Sequence, residues 1–163
     1  MSVHAVTSGY PRLPFDIFQL YCVPIESVTR LGETYRYCPV FSISDRSSIA
    51  EVTASVCGPL LRGFWPNAVA AVVLDTASPD KLGGTGRPFD CHWIAEAREA
   101  GELAGVPPII LAGGLNPDNV AEAIRIAKPY AVDVSSGVEV AGKPGIKDAV
   151  KMRDFIQAVQ GVS

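Results

Sequence analysis

Apolar runs of strand length recur along the chain, and each is followed by a segment with helical periodicity. The runs are "FDIFQLYC", "CPVFSI", "AVAAVVLDT", "PPIILAGG" and "YAVDVSS"; after them come "PIESVTRLGETYR", "DRSSIAEVTASVCG", "DCHWIAEAREAGELAG", "PDNVAEAIRIAK" and "KDAVKMRDFIQAV". Strands alternating with helices predict parallel pairing through crossover connections, and runs apolar at nearly every position predict a sheet covered on both faces. Five such units are legible, with a further strand expected at "SVHAV". A closed barrel of this kind takes eight units and roughly 200 to 250 residues or more. The 163 residues therefore read as one α/β domain, 1–163, of (β/α)8 TIM-barrel type but incomplete, with residues 1–14 as an N-terminal remnant or arm.

In parallel α/β folds the ligand site lies at the carboxyl ends of the strands, and three of these ends are polar and glycine-rich. "VVLDTASPDKLGGTGRPFD" sets Asp75 where an apolar run stops and follows it with Gly83, Gly84 and Gly86. "IILAGGLNPDN" sets Gly113 and Gly114 at a strand end, with Asn116 expected as a helix N-cap and Pro117 as the first helical residue. "AVDVSSGVEVAGKPGIKD" supplies Asp133, Ser135, Ser136 and Gly137. Glycines at a strand end let backbone N–H groups approach a ligand, and a following helix N-terminus adds partial positive charge. Gly113, Gly114, Ser136 and Gly137 are thus candidates to clasp one phosphate; the competing reading is that the glycines only make tight turns. Asp75 is a candidate general acid, because partial burial keeps a carboxyl protonated, or else an Asx-turn that ends the strand. Asp133 carries the same ambiguity and shares a side with Ser135 by strand alternation. The long loop after Asp75, with Lys81 and Arg87, is either a flap over an anion or a solvated surface loop.

Composition narrows the classes. With 48% hydrophobic and 19% charged residues and a formal net charge of −3, the chain has no basic field for nucleic acid, so any phosphate site must be local. No apolar run is long enough to cross a bilayer and the N-terminus has no signal-peptide pattern, which predicts a cytoplasmic protein with no membrane partner. The four cysteines match no zinc spacing, and most of them are expected as small buried hydrophobes in a reducing compartment. Neither a dinucleotide fingerprint nor a metal-ligand cluster is present in the sequence, so no cofactor and no metal are expected. His4 and His92 are expected to be structural or exposed.

Together, "VLDT", "GGTG" with "FD", "AGGLNPDNV", "AVDVSSGVE" and "GIKD" occur in the order and with the spacing of the phosphoribosylanthranilate isomerase family, which the chain resembles most strongly from Val72 to Val159. Upstream, "FDIFQL" looks like the family's third strand, which normally ends in Gln-Leu-His-Gly. The resemblance implies a barrel lacking about two N-terminal βα units. It also implies an Amadori rearrangement of a phosphoribosyl amine in tryptophan biosynthesis. It matches Asp75 to the general acid that opens the furanose, Gly83 and Gly84 to the substrate loop, and Asp133 to a place beside the ribose. Gly113, Gly114, Ser136 and Gly137 match the phosphate cup.

The sequence also departs from the family. The family's general base is the cysteine of Lys-Ile-Cys-Gly on the first strand, and no such motif occurs here. Gln-Leu-His-Gly reads "QLYC", and Ile-Lys-Ala at the next strand reads "PVFSI". Cys22, at a strand end, is the candidate replacement base if its thiol is acidified. The competing function is a non-catalytic sugar-phosphate binder with a regulatory or scaffold role. Open sheet edges predict a homodimer, or a partner chain that completes the barrel.

Overall fold

The computed structural model describes residues 17–21, 36–57, 69–76 and 90–162. They form a parallel sheet of five strands arranged in chain order: β1 (Ile17–Tyr21), β2 (Arg36–Ile43), β3 (Val72–Thr76), β4 (Ile109–Leu111) and β5 (Ala131–Val132). Helices α1 (Ser47–Cys57), α2 (His92–Glu99), α3 (Val120–Ala127) and α4 (Ala149–Gln160) follow β2, β3, β4 and β5. Each of the five apolar runs thus contains a strand, and each of the last four helical segments a helix. The segments expected at residues 2–6 and 24–35 lie outside the described residues.

Both faces of the sheet are apolar, for two different reasons. One face carries Ile43, Val72, Leu74, Ile109 and Leu111 against Ile49 and Val52 of α1, Ile94 and Ala97 of α2, and Val120, Ala123 and Ala127 of α3. The helical residues recur three, four and seven positions apart, which gathers them on one stripe and buries it. The opposite face holds a second, smaller cluster of Cys38, Ala71, Val73 and Ala112, with Val40 and Ile110 packed beside it. Small and β-branched side chains there leave room above the sheet at the carboxyl ends, where the cleft lies.

Helix ends are held by side chains. Asp148 caps α4, accepting from the amides of Val150 at 2.8 Å and Lys151 at 3.2 Å. At the C-terminus of α3, Arg98 donates to the carbonyls of Ala127 at 3.0 Å and Lys128 at 3.3 Å. Asn116 departs from expectation: α3 begins at Val120, with Asn119 and not Asn116 in the N-cap position. Asn116 instead closes the turn just before the helix, its Oδ1 accepting from the amides of Asp118 at 2.9 Å and Asn119 at 3.2 Å. Pro117 therefore lies in that turn. Among the described residues no helix is long and apolar enough to cross a membrane.

Candidate active site

Strand register decides what meets at the carboxyl ends. Tyr21 pairs with Val40 and Val40 with Val73, so these three share the face turned away from the helices. Asp75, two residues beyond Val73, points the same way, in register with the exposed Ser42. Tyr21, Asp75, Gly113, Gly114, Asp133, Ser135 and Ser136 line one cleft of ≈ 180 Å³, closed further by Ala112, Leu115 and Val134.

The glycine pair forms one wall, and at Gly113 no side chain fits. Gly113 and Gly114 have φ of 86° and 64°, a left-handed backbone that L side chains rarely adopt. A Cβ on Gly113 would fall against the amide nitrogen and hydroxyl of Thr76 and 2.7 Å from Asp75 Oδ1. The turn therefore rests directly on the end of β3. Among the described residues, the amides of Gly113, Gly114, Ser135 and Ser136 donate to no acceptor. Unpaired N–H groups converging from two successive loops, one of them leading into α3, make a concavity suited to an anion.

Two asparagines hold that wall. Asn119 Nδ2 donates to the Gly114 carbonyl at 3.0 Å, and its Oδ1 accepts from the Asn116 amide at 2.8 Å. Asn119→Ala is expected to cost about 1–2 kcal/mol, because it leaves two part-buried backbone groups unpaired. It should also weaken anion binding. Urea unfolding together with titration of a sugar phosphate checks both effects, and Asn119→Asp, which keeps the acceptor, should recover part of the loss.

Gly137 packs behind the cleft wall. It is not among the residues lining the cleft; a Cβ there would collide with the Leu115 carbonyl oxygen. Gly137 thus lets the β5 loop close onto the β4 loop from behind. Lys147, whose "GIKD" motif was legible but had no role assigned, pins the same loop: its Nζ donates to Ser135 O at 2.8 Å and Oγ at 3.2 Å and pairs with Glu139 at 2.9 Å. Lys151 adds a bond from its Nζ to the Glu139 carbonyl at 2.8 Å.

Electrostatics separate the titratable groups. Burial raises the Asp75 carboxyl above the ordinary carboxylate range; the hydrogen bond from the Thr76 amide opposes the rise, and the nearby Asp133 adds to it. A carboxyl so placed keeps its proton to higher pH than a free aspartate, as a general acid requires. Burial likewise raises the phenol of Tyr21, with the charges of Asp75 and Asp133 acting in the same direction. The thiols of Cys38 and Cys91 are also pushed up by burial, which disfavours the thiolate a base would need. His92 is exposed, its Nδ1 2.7 Å from Asp90 Oδ1. Cys22, Gly83, Gly84, Gly86, Lys81, Arg87 and His4 lie outside the described residues. Tyr21 is the cleft residue that sequence reasoning passed over; the signal was its position two residues after Gln19 on one face of the strand.

A parallel sheet with helices on one face and a polar, glycine-lined cleft at the carboxyl ends of its strands defines part of a (β/α) barrel of the TIM type. Comparison with known proteins narrows the class. The model of the family described as N-(5'-phosphoribosyl)anthranilate (PRA) isomerase matches residues 10–158, and the chain belongs to that family. The N-(5'-phosphoribosyl)anthranilate isomerase of Trichlorobacter lovleyi is 54% identical over 149 residues, which cover 91% of this chain and 60% of that protein. That of Geobacter sulfurreducens is 53% identical over 93 residues, covering 57% of this chain and 42% of its own length. The chain thus spans about 40 to 60% of the length of these curated relatives. Among solved structures, the phosphoribosyl anthranilate isomerase of Thermotoga maritima superposes with a TM-score of 0.69 at 30% identity, covering 90% of this chain and 62% of that one. A phosphoribosyl anthranilate isomerase in complex with reduced 1-(o-carboxyphenylamino)-1-deoxyribulose 5-phosphate gives a TM-score of 0.65 at 28% identity, covering 90% of this chain and 60% of that one.

Proposed function

We propose that the cleft binds a phosphoribosyl amine and supports its Amadori rearrangement, the phosphoribosylanthranilate isomerase step of tryptophan biosynthesis. The observation that carries this reading is the placement of Asp75. Its half-buried carboxyl, held above the ordinary range, lies in contact distance of the turn whose free amides suit a phosphate. Phosphate sits on Gly113, Gly114 and Ser136, with Gly137 closing the cup from behind. Asp133 lies beside the ribose, while Gly83 and Gly84 belong to the loop that follows Asp75. Asp75 protonates the furanose ring oxygen, the ring opens to a protonated imine, and a base then takes the C2′ proton to give the enolamine that becomes the ketose. Cys22 is the candidate for that base. No cofactor or metal has a part in this chemistry.

One observation favours a second reading, in which the cleft binds a sugar phosphate without turning it over: Gln19-Leu20-Tyr21-Cys22 stands where the family has Gln-Leu-His-Gly. An assay that generates phosphoribosylanthranilate in situ and follows the loss of its fluorescence separates the two. Turnover supports the isomerase; no turnover from folded protein that still binds the reduced product analogue assigns the cleft to binding alone.

The assembly follows from the sheet. Among the described residues β1 and β5 each pair on one side only, and Ile146, Val150, Met152 and Ile156 are exposed around and along α4. Open strand edges beside apolar surface favour association, and a closed twofold pair covers both most simply. Sedimentation equilibrium should give twice the mass of one chain. A monomer at micromolar concentration would exclude the homodimer and leave a partner chain to close the wall. A site of this kind, built for a biosynthetic intermediate, belongs in the cytoplasm.

A further inference from the structure

Tyr21 lines the cleft from β1, the strand three places from β4 in the order of the sheet, and nothing in the proposed chemistry uses it. The sheet runs β1 to β5 in order, so three strand-to-strand steps, about 14 Å along the sheet at about 4.8 Å per step, separate β1 from the glycine turn after β4. Asp75, on β3, lies between them. A ligand with its phosphate on that turn and its reacting carbon at Asp75 sends whatever its amine carries onward, toward β1. Among the described residues the lining of the cleft includes two carboxylates, Asp75 and Asp133, and no lysine or arginine. The ring of Tyr21, 46% exposed, offers an apolar face, and its hydroxyl already accepts from Gln19 Nε2 at 3.2 Å, which leaves the O–H free to donate. Burial and the two neighbouring carboxylates keep that phenol protonated at neutral pH, so it serves as a donor and not as a base.

We propose that Tyr21 is a specificity-determining residue that receives the amine-borne group of the substrate, packing against an aromatic ring and donating its O–H to an acceptor on that ring. The inference rests on the isomerase reading and names a residue for the part of the substrate to which that reading assigns none. A neutral phenol suits this position because it satisfies an acceptor without adding a charge beside Asp75. A cation in its place would hold Asp75 ionised and remove its use as an acid.

The test measures binding, so it does not depend on turnover. The full chain, Tyr21→Phe and Tyr21→Ala are titrated with two probes, reduced 1-(o-carboxyphenylamino)-1-deoxyribulose 5-phosphate and ribulose 5-phosphate, with folding checked by circular dichroism. The parent should prefer the aryl compound. Tyr21→Phe should weaken it about 3- to 10-fold through the lost hydrogen bond, and Tyr21→Ala about 10- to 100-fold through the lost ring, with ribulose 5-phosphate changing less than twofold in both. Equal losses for the two probes, or no loss in Tyr21→Phe, would overturn the role of Tyr21 while a parent preference for the aryl compound leaves the isomerase reading standing. A parent that binds both probes equally, or neither, overturns the reading and this inference with it. Should Tyr21→Ala fail to fold, Tyr21→Phe, which keeps the ring and its packing, decides the outcome.

Discussion

Asp75→Asn is expected to lower turnover of phosphoribosylanthranilate by about 10²- to 10⁴-fold, the loss usual for a missing general acid. Affinity for the reduced product analogue should stay nearly constant, since an amide fills the same space and the phosphate contacts lie on other loops. The fluorescence assay with both proteins checks this, and turnover that survives the substitution unchanged would remove Asp75 from the mechanism. The pH dependence has a definite sign. The acid acts in its protonated form, so the parent rate falls as pH rises through the Asp75 value, which burial sets above the ordinary carboxylate range. Stability moves the same way. The folded chain holds the proton more tightly than the unfolded one, so stability declines as pH climbs from the unfolded aspartate value to the folded one. Asp75→Asn should therefore melt higher than the parent at pH 7 to 8 and lose that advantage in acid, below the unfolded value. Thermal melts across that range test the linkage separately from the kinetics.

Gly113→Ala should damage both fold and binding. The substitution meets a positive φ of 86° and leaves its methyl no room against Thr76. Left-handed strain of about 1–2 kcal/mol and overpacking of about 1–3 kcal/mol add, because the obstacle includes backbone and cannot swing aside. We expect an unfolding free energy in urea lowered by about that sum and affinity for inorganic phosphate or ribulose 5-phosphate down at least tenfold. Displacement of the turn also pushes on Asp75 Oδ1, so catalysis should fall further than binding. An alanine variant with parental stability and parental phosphate affinity would show that the turn neither needs glycine nor holds the anion.

Asp75 and Gly113 were legible in the sequence because each sits where an apolar run stops, and an interrupted run is a local signal. The same holds for the strands and for α1 to α4, whose periodicity is written within a dozen consecutive residues. Other features were not legible because they depend on residues far apart in the chain. Gly137 reads as one more turn glycine until the Leu115 carbonyl is found against it. Asn119 reads as a helical position until its side chain is seen holding Gly114 and Asn116. Lys147 reads as a surface charge until it reaches Ser135 and Glu139.

The sequence by itself determined the parallel α/β class, the order of strands and helices, the family motifs and the positions of the polar strand ends, since period and short motifs act over neighbouring residues. Tertiary structure alone decided that the ends of β1, β3, β4 and β5 share one cleft and that Tyr21 lines it together with the glycine turn. It also decided that Asp75 is buried enough to raise its carboxyl above the ordinary value. Those outcomes depend on sheet order and register, which bring distant residues within a few ångströms and set the dielectric around them, and no local pattern encodes either.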